Sequence, residues 1–319
     1  MHPILITLPL SAFLVGLGHF LDEQKADSSP TRQPIAKEVM DLFEYDKEAD
    51  LELEEGSFVQ HNGYSQSDLS FSSPAGGRVP AFLFQPEGEG PHAGILLMHG
   101  MPGSRKDALM FASDYVKAGA VVVAISAPWA RPDGPRAQIL NFTKQDRDEQ
   151  VQLIQDMMRA VDFLVSMPTV DSERLGYAGV SYGGAMGGLL AGVETRIKAY
   201  ALVVGDGGLV AHLTGPDDSE HGSGGIPEEQ LEDWLGWMKP IEPMLFVAHA
   251  APAHLLFQNG KVDQLVPAAD AKLYQEAGSQ PKTVLWYEGG HSLSPALMRD
   301  QMQWFSERIG TTAPDRAGS

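Results

Sequence analysis

Seven short apolar runs, separated by stretches of helical period, constrain this chain more than any other feature. They lie at 80–86 (PAFLFQP), 94–100 (GILLMHG), 120–128 (AVVVAISAP), 174–181 (RLGYAGVS), 197–205 (IKAYALVVG), 254–260 (HLLFQNG) and 283–290 (TVLWYEGG). Most lack polar–apolar alternation, as strands do when both faces of their sheet are covered. The clearest predicted helix covers 145–166, where Val151, Ile154, Met158, Val161 and Val165 recur at helical spacing and Met167-Pro168 closes the element. Further helices are expected near 106–118, 182–192, 267–277 and 293–308. Strand and helix in alternation predict an α/β domain, with a mostly parallel sheet and helices on both faces.

The flanks read differently. Residues 3–21 (PILITLPLSAFLVGLGHFL) are apolar and long enough for an export signal or a short anchor. No Lys or Arg precedes them and no clean A-x-A site follows, so an apolar helix docked on the body is the competing expectation. Localisation is left open with them: exported or membrane-tethered if they act as a signal, otherwise cytoplasmic. Residues 22–38 are polar with two prolines and read as a linker, which gives 1–38 as an N-terminal segment and 39–310 as the domain. The acidic stretch 41–56 is expected on the surface. Residues 311–319 read as a flexible tail. Within the domain, 206–243 interrupts the rhythm with a Gly/Ser/Asp loop and a short helix carrying Trp234 and Trp237. It is expected to be a lid-like insertion, or a surface excursion pinned by its tryptophans.

Composition excludes several functions. The formal net charge is −19, from 42 acidic and 23 basic residues, and such a surface repels phosphate backbones. Nucleic acid is not an expected partner, and membrane contact is expected only through 3–21. There is no cysteine, hence no disulfide, no thiolate metal site and no Cys nucleophile. The oligomeric state is not legible.

Gly179-Val180-Ser181-Tyr182-Gly183 is a G-x-S-x-G sequence at the junction of a predicted strand and a predicted helix. In that context the glycines allow a sharp turn that exposes the serine hydroxyl beside a helix N-terminus. Ser181 is therefore the candidate nucleophile, the competing expectation being a tight structural turn. A serine needs a base. Of the ten histidines, His291 in EGGHSLSP follows the last strand and lies after Ser181 in the chain. The base needs an orienting acid. Asp263 in NGKVDQLVP follows a strand and precedes His291; it is preferred over Asp206 in GDGG. A developing oxyanion needs donors, and the backbone N–H groups of Met101 and Tyr182 are assigned to it. His99 is expected to anchor the 98–107 loop. His249 and His254 are expected to be packing residues.

The segments HGMPGSR (99–105), GVSYGG (179–184), NGKVDQLVP (259–267) and EGGHSLSP (288–295) together resemble the α/β-hydrolase superfamily, in its dienelactone-hydrolase-like and serine-carboxylesterase branch. The resemblance covers roughly residues 40–310. It implies an α/β-hydrolase fold with an eight-stranded, mostly parallel sheet, helices on both faces and a short cap insertion. It also implies a Ser-Asp-His triad of Ser181, Asp263 and His291, and no metal or organic cofactor. Dienelactone hydrolases proper use a cysteine, which is absent, so hydrolysis of small-molecule carboxylic esters is the expected activity. No propeller is expected ahead of the domain, and a large two-domain oligopeptidase is therefore not the expected architecture. Trp129, Trp234 and Leu293, in loops at the same end of the sheet, are the expected pocket walls beside Met101. Acyl transfer on the same triad and a non-catalytic binding module on the same fold are the alternatives.

Overall fold

A computed structural model describes residues 33–132, 136, 138–214 and 227–313. The expected signal or anchor at 3–21 and the tail beyond 313 lie outside the described residues. No helix among the described residues is long and apolar enough to cross a membrane.

Nine strands form one sheet: β1 (Glu54–His61), β2 (Tyr64–Ser72), β3 (Arg78–Pro86), β4 (His92–Met98), β5 (Ala120–Ile125), β6 (Val170–Val180), β7 (Ala199–Val203), β8 (His254–Gly260) and β9 (Lys282–Tyr287). Their order across the sheet is β1-β2-β3-β5-β4-β6-β7-β8-β9. The first three strands join antiparallel, and β3 meets β5 antiparallel. From β5 through β9 every pairing is parallel. All seven predicted runs are strands. The sheet has nine strands where the resemblance implied eight: the seven predicted runs are β3 to β9, and the hairpin β1–β2 stands ahead of them. Its outer strand is largely solvent-exposed, Phe58 to 63%, so it carries no buried apolar run that a sequence pattern could register.

Among the described residues the helices are α1 (Lys37–Met40), α2 (Ala112–Lys117), α3 (Lys144–Ser166), α4 (Tyr182–Ala191), α5 (Leu209–Thr214), α6 (Glu228–Met238), α7 (Pro243–Val247), α8 (Ala268–Ala277) and α9 (Pro295–Ile309). Successive strand residues face opposite sides, so Leu96, Met98, Val121 and Val123 enter one core with α3 and α4, while Ile95, Leu97, Val122 and Ala124 enter the other with α2 and α9. Both faces of the central strands are thus dry, which is why they read as unbroken apolar runs.

The buried face of α3 differs from the predicted stripe. Leu153, Met157, Phe163 and Leu164 are buried with Ile154, Met158 and Val161, whereas Val165 is 38% exposed. The helix lies between the sheet and α6, so it needs a wider apolar surface than one stripe supplies. The acidic stretch at 41–56 is not wholly superficial. Phe43 is buried and meets Phe246 edge-on at 5.6 Å. At the other end Thr311 is buried and the Thr312 N–H donates to Ala118 O at 2.8 Å, so the chain is held at least this far into the expected tail.

Candidate active site

The turn from β6 into α4 is set by contact distances. A Cβ added to Gly183 would strike the carbonyl oxygens of Met98 and His99, and one added to Gly179 would strike the Gly183 carbonyl. Strand, turn and helix approach this closely only because neither residue has a side chain. Between them Ser181 takes φ 56° and ψ −117°, a conformation that a non-glycine residue adopts only under constraint. Its N–H donates to Val203 O at 2.8 Å, which ties the turn to β7.

Three of the predicted residues meet there. His291 Nε2 lies 2.8 Å from Ser181 Oγ, and His291 Nδ1 lies 2.8 Å from Asp263 Oδ2. The network assigns the tautomer: Nδ1–H donates to the carboxylate and Nε2 accepts from the serine hydroxyl. The other Asp263 oxygen, Oδ1, accepts the N–H groups of Leu265 at 2.9 Å and Val266 at 3.0 Å. Burial pushes the Asp263 carboxyl up, but the His291 hydrogen bond and these two N–H groups outweigh it and hold the group below its ordinary value.

Asp206, the rival acid, does not reach His291. Its Oδ1 accepts the Gly208 N–H at 2.8 Å and its Oδ2 lies 3.3 Å from His212 Nδ1. His99 is buried and bridges two loops, Nδ1 to Gly100 O at 2.7 Å and Nε2 accepting the Ala127 N–H at 3.1 Å. Burial lowers its pKa to about 4, so it is a neutral strut joining the Met101 loop to the segment that carries Trp129. Arg105 secures the far end of the same loop, donating to Asp68 Oδ1 and Ala81 O at 2.6 Å and stacking over Phe82 at 4.2 Å.

Ser181 and His291 open onto a cavity of about 230 Å³ whose apolar wall includes Met101, Trp129, Tyr182, Leu209 and Leu213. Tyr182 is the first residue of α4, so its N–H has no acceptor within the helix and stands at the positive end of the dipole. Met101 and Trp129, two of the expected wall residues, line this cavity. Trp234 and Leu293 are not among its lining residues. Trp234 is fully buried beside α3, its Nε1–H donating to Asp146 Oδ2 at 2.9 Å. Leu293 packs against the core on the α9 side of the sheet. A loop's place at the sheet end does not fix which way its side chains turn. The sequence reading missed Ile139, Leu140, Leu209, His212, Leu213, Met238, Leu265 and Val266, all of which line the cavity. Leu265 and Val266 were within reach, being two and three residues from Asp263. Residues 215–226 of the predicted insertion lie outside the described residues; the rest of it, α5 and α6, packs beside the cavity. No cluster of three His, Asp or Glu residues that could hold a metal occurs among the described residues.

Sheet order and turn geometry together define an α/β-hydrolase fold. More narrowly, the chain belongs to the prolyl oligopeptidase family, whose model matches residues 141–311, more than half of its length. A curated relative, the esterase FrsA of Citrobacter koseri, is 28% identical over 170 residues, which is 53% of this chain and 37% of that protein. The chain thus matches little more than a third of that relative's length. An acetyl xylan esterase from Paenibacillus sp. R4 superposes with a TM-score of 0.67 at 20% identity, over 86% of this chain and 93% of that one. An acylaminoacyl peptidase superposes with a TM-score of 0.59 at 19% identity, over 80% of this chain and 43% of that one. At these identities the superpositions establish the fold.

Proposed function

We propose that the protein is a serine hydrolase that cleaves carboxylic esters of small molecules. The observation that carries this reading is the unbroken run of two 2.8 Å contacts from Ser181 Oγ through His291 to Asp263, at the mouth of an apolar cavity. Ser181 Oγ attacks the ester carbonyl as its proton passes to His291 Nε2. Met101 and Tyr182 N–H groups stabilise the oxyanion, and Asp263 fixes the imidazole and balances its charge. Collapse expels the alcohol, which takes the proton from Nε2, and leaves an acyl group on Ser181. Water, deprotonated by the same nitrogen, attacks the acyl carbonyl and frees the acid and the serine. The esterase names of FrsA and the acetyl xylan esterase agree with this choice of bond.

The family match and the acylaminoacyl peptidase superposition favour a second reading, hydrolysis of a peptide or amide bond by the same residues. The test is intact-protein mass spectrometry with a fluorophosphonate on wild type and Ser181→Ala, followed by matched ester and amide substrates. One adduct lost in the variant, with esters turned over, is the expected result. No adduct on folded wild type would sink both readings, and turnover of amides alone would select the second.

A further inference from the structure

The cavity at Ser181 holds a second carboxylate–imidazole pair that the mechanism above does not use. Asp206 follows β7 as Asp263 follows β8, so the two acids end neighbouring parallel strands. Asp206 is buried, and the Gly208 N–H fixes its Oδ1 at 2.8 Å. Its Oδ2 pairs with His212 Nδ1 at 3.3 Å. His212 stands on α5, whose first turn is held by Glu242 Oε1, the acceptor of the Val210 N–H at 2.6 Å. The His212 ring is partly buried and lines the same cavity as Ser181 and His291.

The carboxylates of Asp146 and Glu149 and the Gln150 amide N–H on the cavity wall are engaged by the protein. Asp146 accepts the Asn141 N–H and the Trp234 Nε1–H, each at 2.9 Å. Glu149 is gripped by both terminal nitrogens of Arg136, at 2.6 and 2.7 Å. Gln150 donates to Ile241 O at 3.3 Å. In His212, Nδ1 is turned to Asp206, and the hydrogen-bonding capacity left to the ring is at Nε2. We propose that His212 determines specificity, taking a hydroxyl or ether oxygen of the ester substrate at Nε2 while Asp206 holds the ring through Nδ1. This rests on the ester hydrolysis proposed for Ser181.

Acidic groups face this ring from three elements: Asp206 at the end of β7, Asp263 after β8 and Asp270 on α8; Glu242, beside Asp206, is charged only above about pH 7. They disfavour an anionic substituent, which leaves a neutral oxygen as the partner. Asp206 raises the imidazole above its ordinary range against the effect of burial, with Asp270 and Asp263 adding to the rise. The charged ring donates from both nitrogens. Once it loses a proton, the remaining N–H serves Asp206 and Nε2 accepts only. An ether oxygen is then held by the charged ring alone, and a hydroxyl by either form.

The test uses isosteric ester pairs on the full chain. On the acyl side these are para-nitrophenyl butanoate and methoxyacetate. On the alcohol side, butyl acetate is set against methoxyethyl and hydroxypropyl acetates. Each pair is read as the kcat/KM ratio of oxygenated to plain ester, compared between wild type and His212→Leu so that intrinsic reactivity cancels. The leucine variant should lower the ratio about tenfold in at least one series, and His212→Gln, whose amide N–H can occupy the Nε2 position, should restore it. In wild type the ether preference should fade as pH rises while the hydroxyl preference persists. Fluorophosphonate should label Ser181 in every variant. A ratio unchanged by His212→Leu in both series, with esters still cleaved, overturns the role of His212 alone. A folded wild type that takes no fluorophosphonate overturns ester hydrolysis and this inference with it.

Discussion

Two aspartate–histidine pairs end adjacent strands of one sheet, and they are built to different standards. In Asp263–His291 the contact is 2.8 Å, both carboxylate oxygens are in use, and the far ring nitrogen meets a hydroxyl at 2.8 Å. In Asp206–His212 the contact is 3.3 Å, and the ring stands on a six-residue helix. The first pair abuts a turn locked by backbone-to-backbone contact. The second hangs on α5, whose first turn is held by one Glu242 oxygen. The difference teaches that residue type and strand-end position do not assign a role. What the far nitrogen can reach does.

The sharpest way to break the comparison is to neutralise each acid. Asp263→Asn should lower kcat on a plain alkyl ester by roughly 10⁴-fold, because the imidazole loses its tautomer and its counter-charge. Asp206→Asn should lower it less than about tenfold. Equal losses, measured by steady-state kinetics, would erase the distinction. Next, Gly183→Val drives a side chain into the Met98 and His99 carbonyls and should destabilise the fold by about 1–3 kcal/mol in urea melts. That would show how much stability the first pair's platform draws from close backbone approach.

The second pair is probed through Glu242. Burial raises this carboxyl to about 7. Between its ordinary value near 4.5 and that figure, the folded chain holds a proton that the unfolded chain has released, so stability falls as pH rises through the window. Glu242→Gln should flatten this dependence and, above pH 7, stabilise the protein by about 1–3 kcal/mol, as thermal melts at acid and mildly alkaline pH would report. The smallest effect is expected from Trp234→Phe, which leaves Asp146 without its indole donor. It should cost about 1 kcal/mol and leave fluorophosphonate labelling of Ser181 unchanged. A lost label would mean that α6 supports the first pair.

The sequence disclosed most of the first pair and little of the second. Ser181 and Asp263 stand after strands whose unbroken apolar runs mark them as buried on both faces, His291 follows the half-buried edge strand β9, and their chain order matches a known family. The strand β1 is hidden because it is exposed at the sheet edge, where Glu54 and Glu55 read as surface, and its partner β2 buries only Leu69 and Phe71, too few to stand out as an apolar run. In the sequence Asp206 reads only as a rival for one imidazole. Its true neighbour, His212, is six residues on, in a segment whose pattern is too short to announce a helix. Trp234 was misplaced because a tryptophan in a loop-rich insertion fits a pocket wall and a buried anchor equally well. The nearby Asp146, distant in sequence, decided between them.

The positive φ of Ser181 sets the interests of the fold against those of the chemistry. A glycine there would adopt the same backbone without strain, and the protein should then melt at a higher temperature while the hydroxyl is gone. Any screen of this protein that rewards heat resistance alone will therefore enrich molecules that lack the proposed nucleophile at that position.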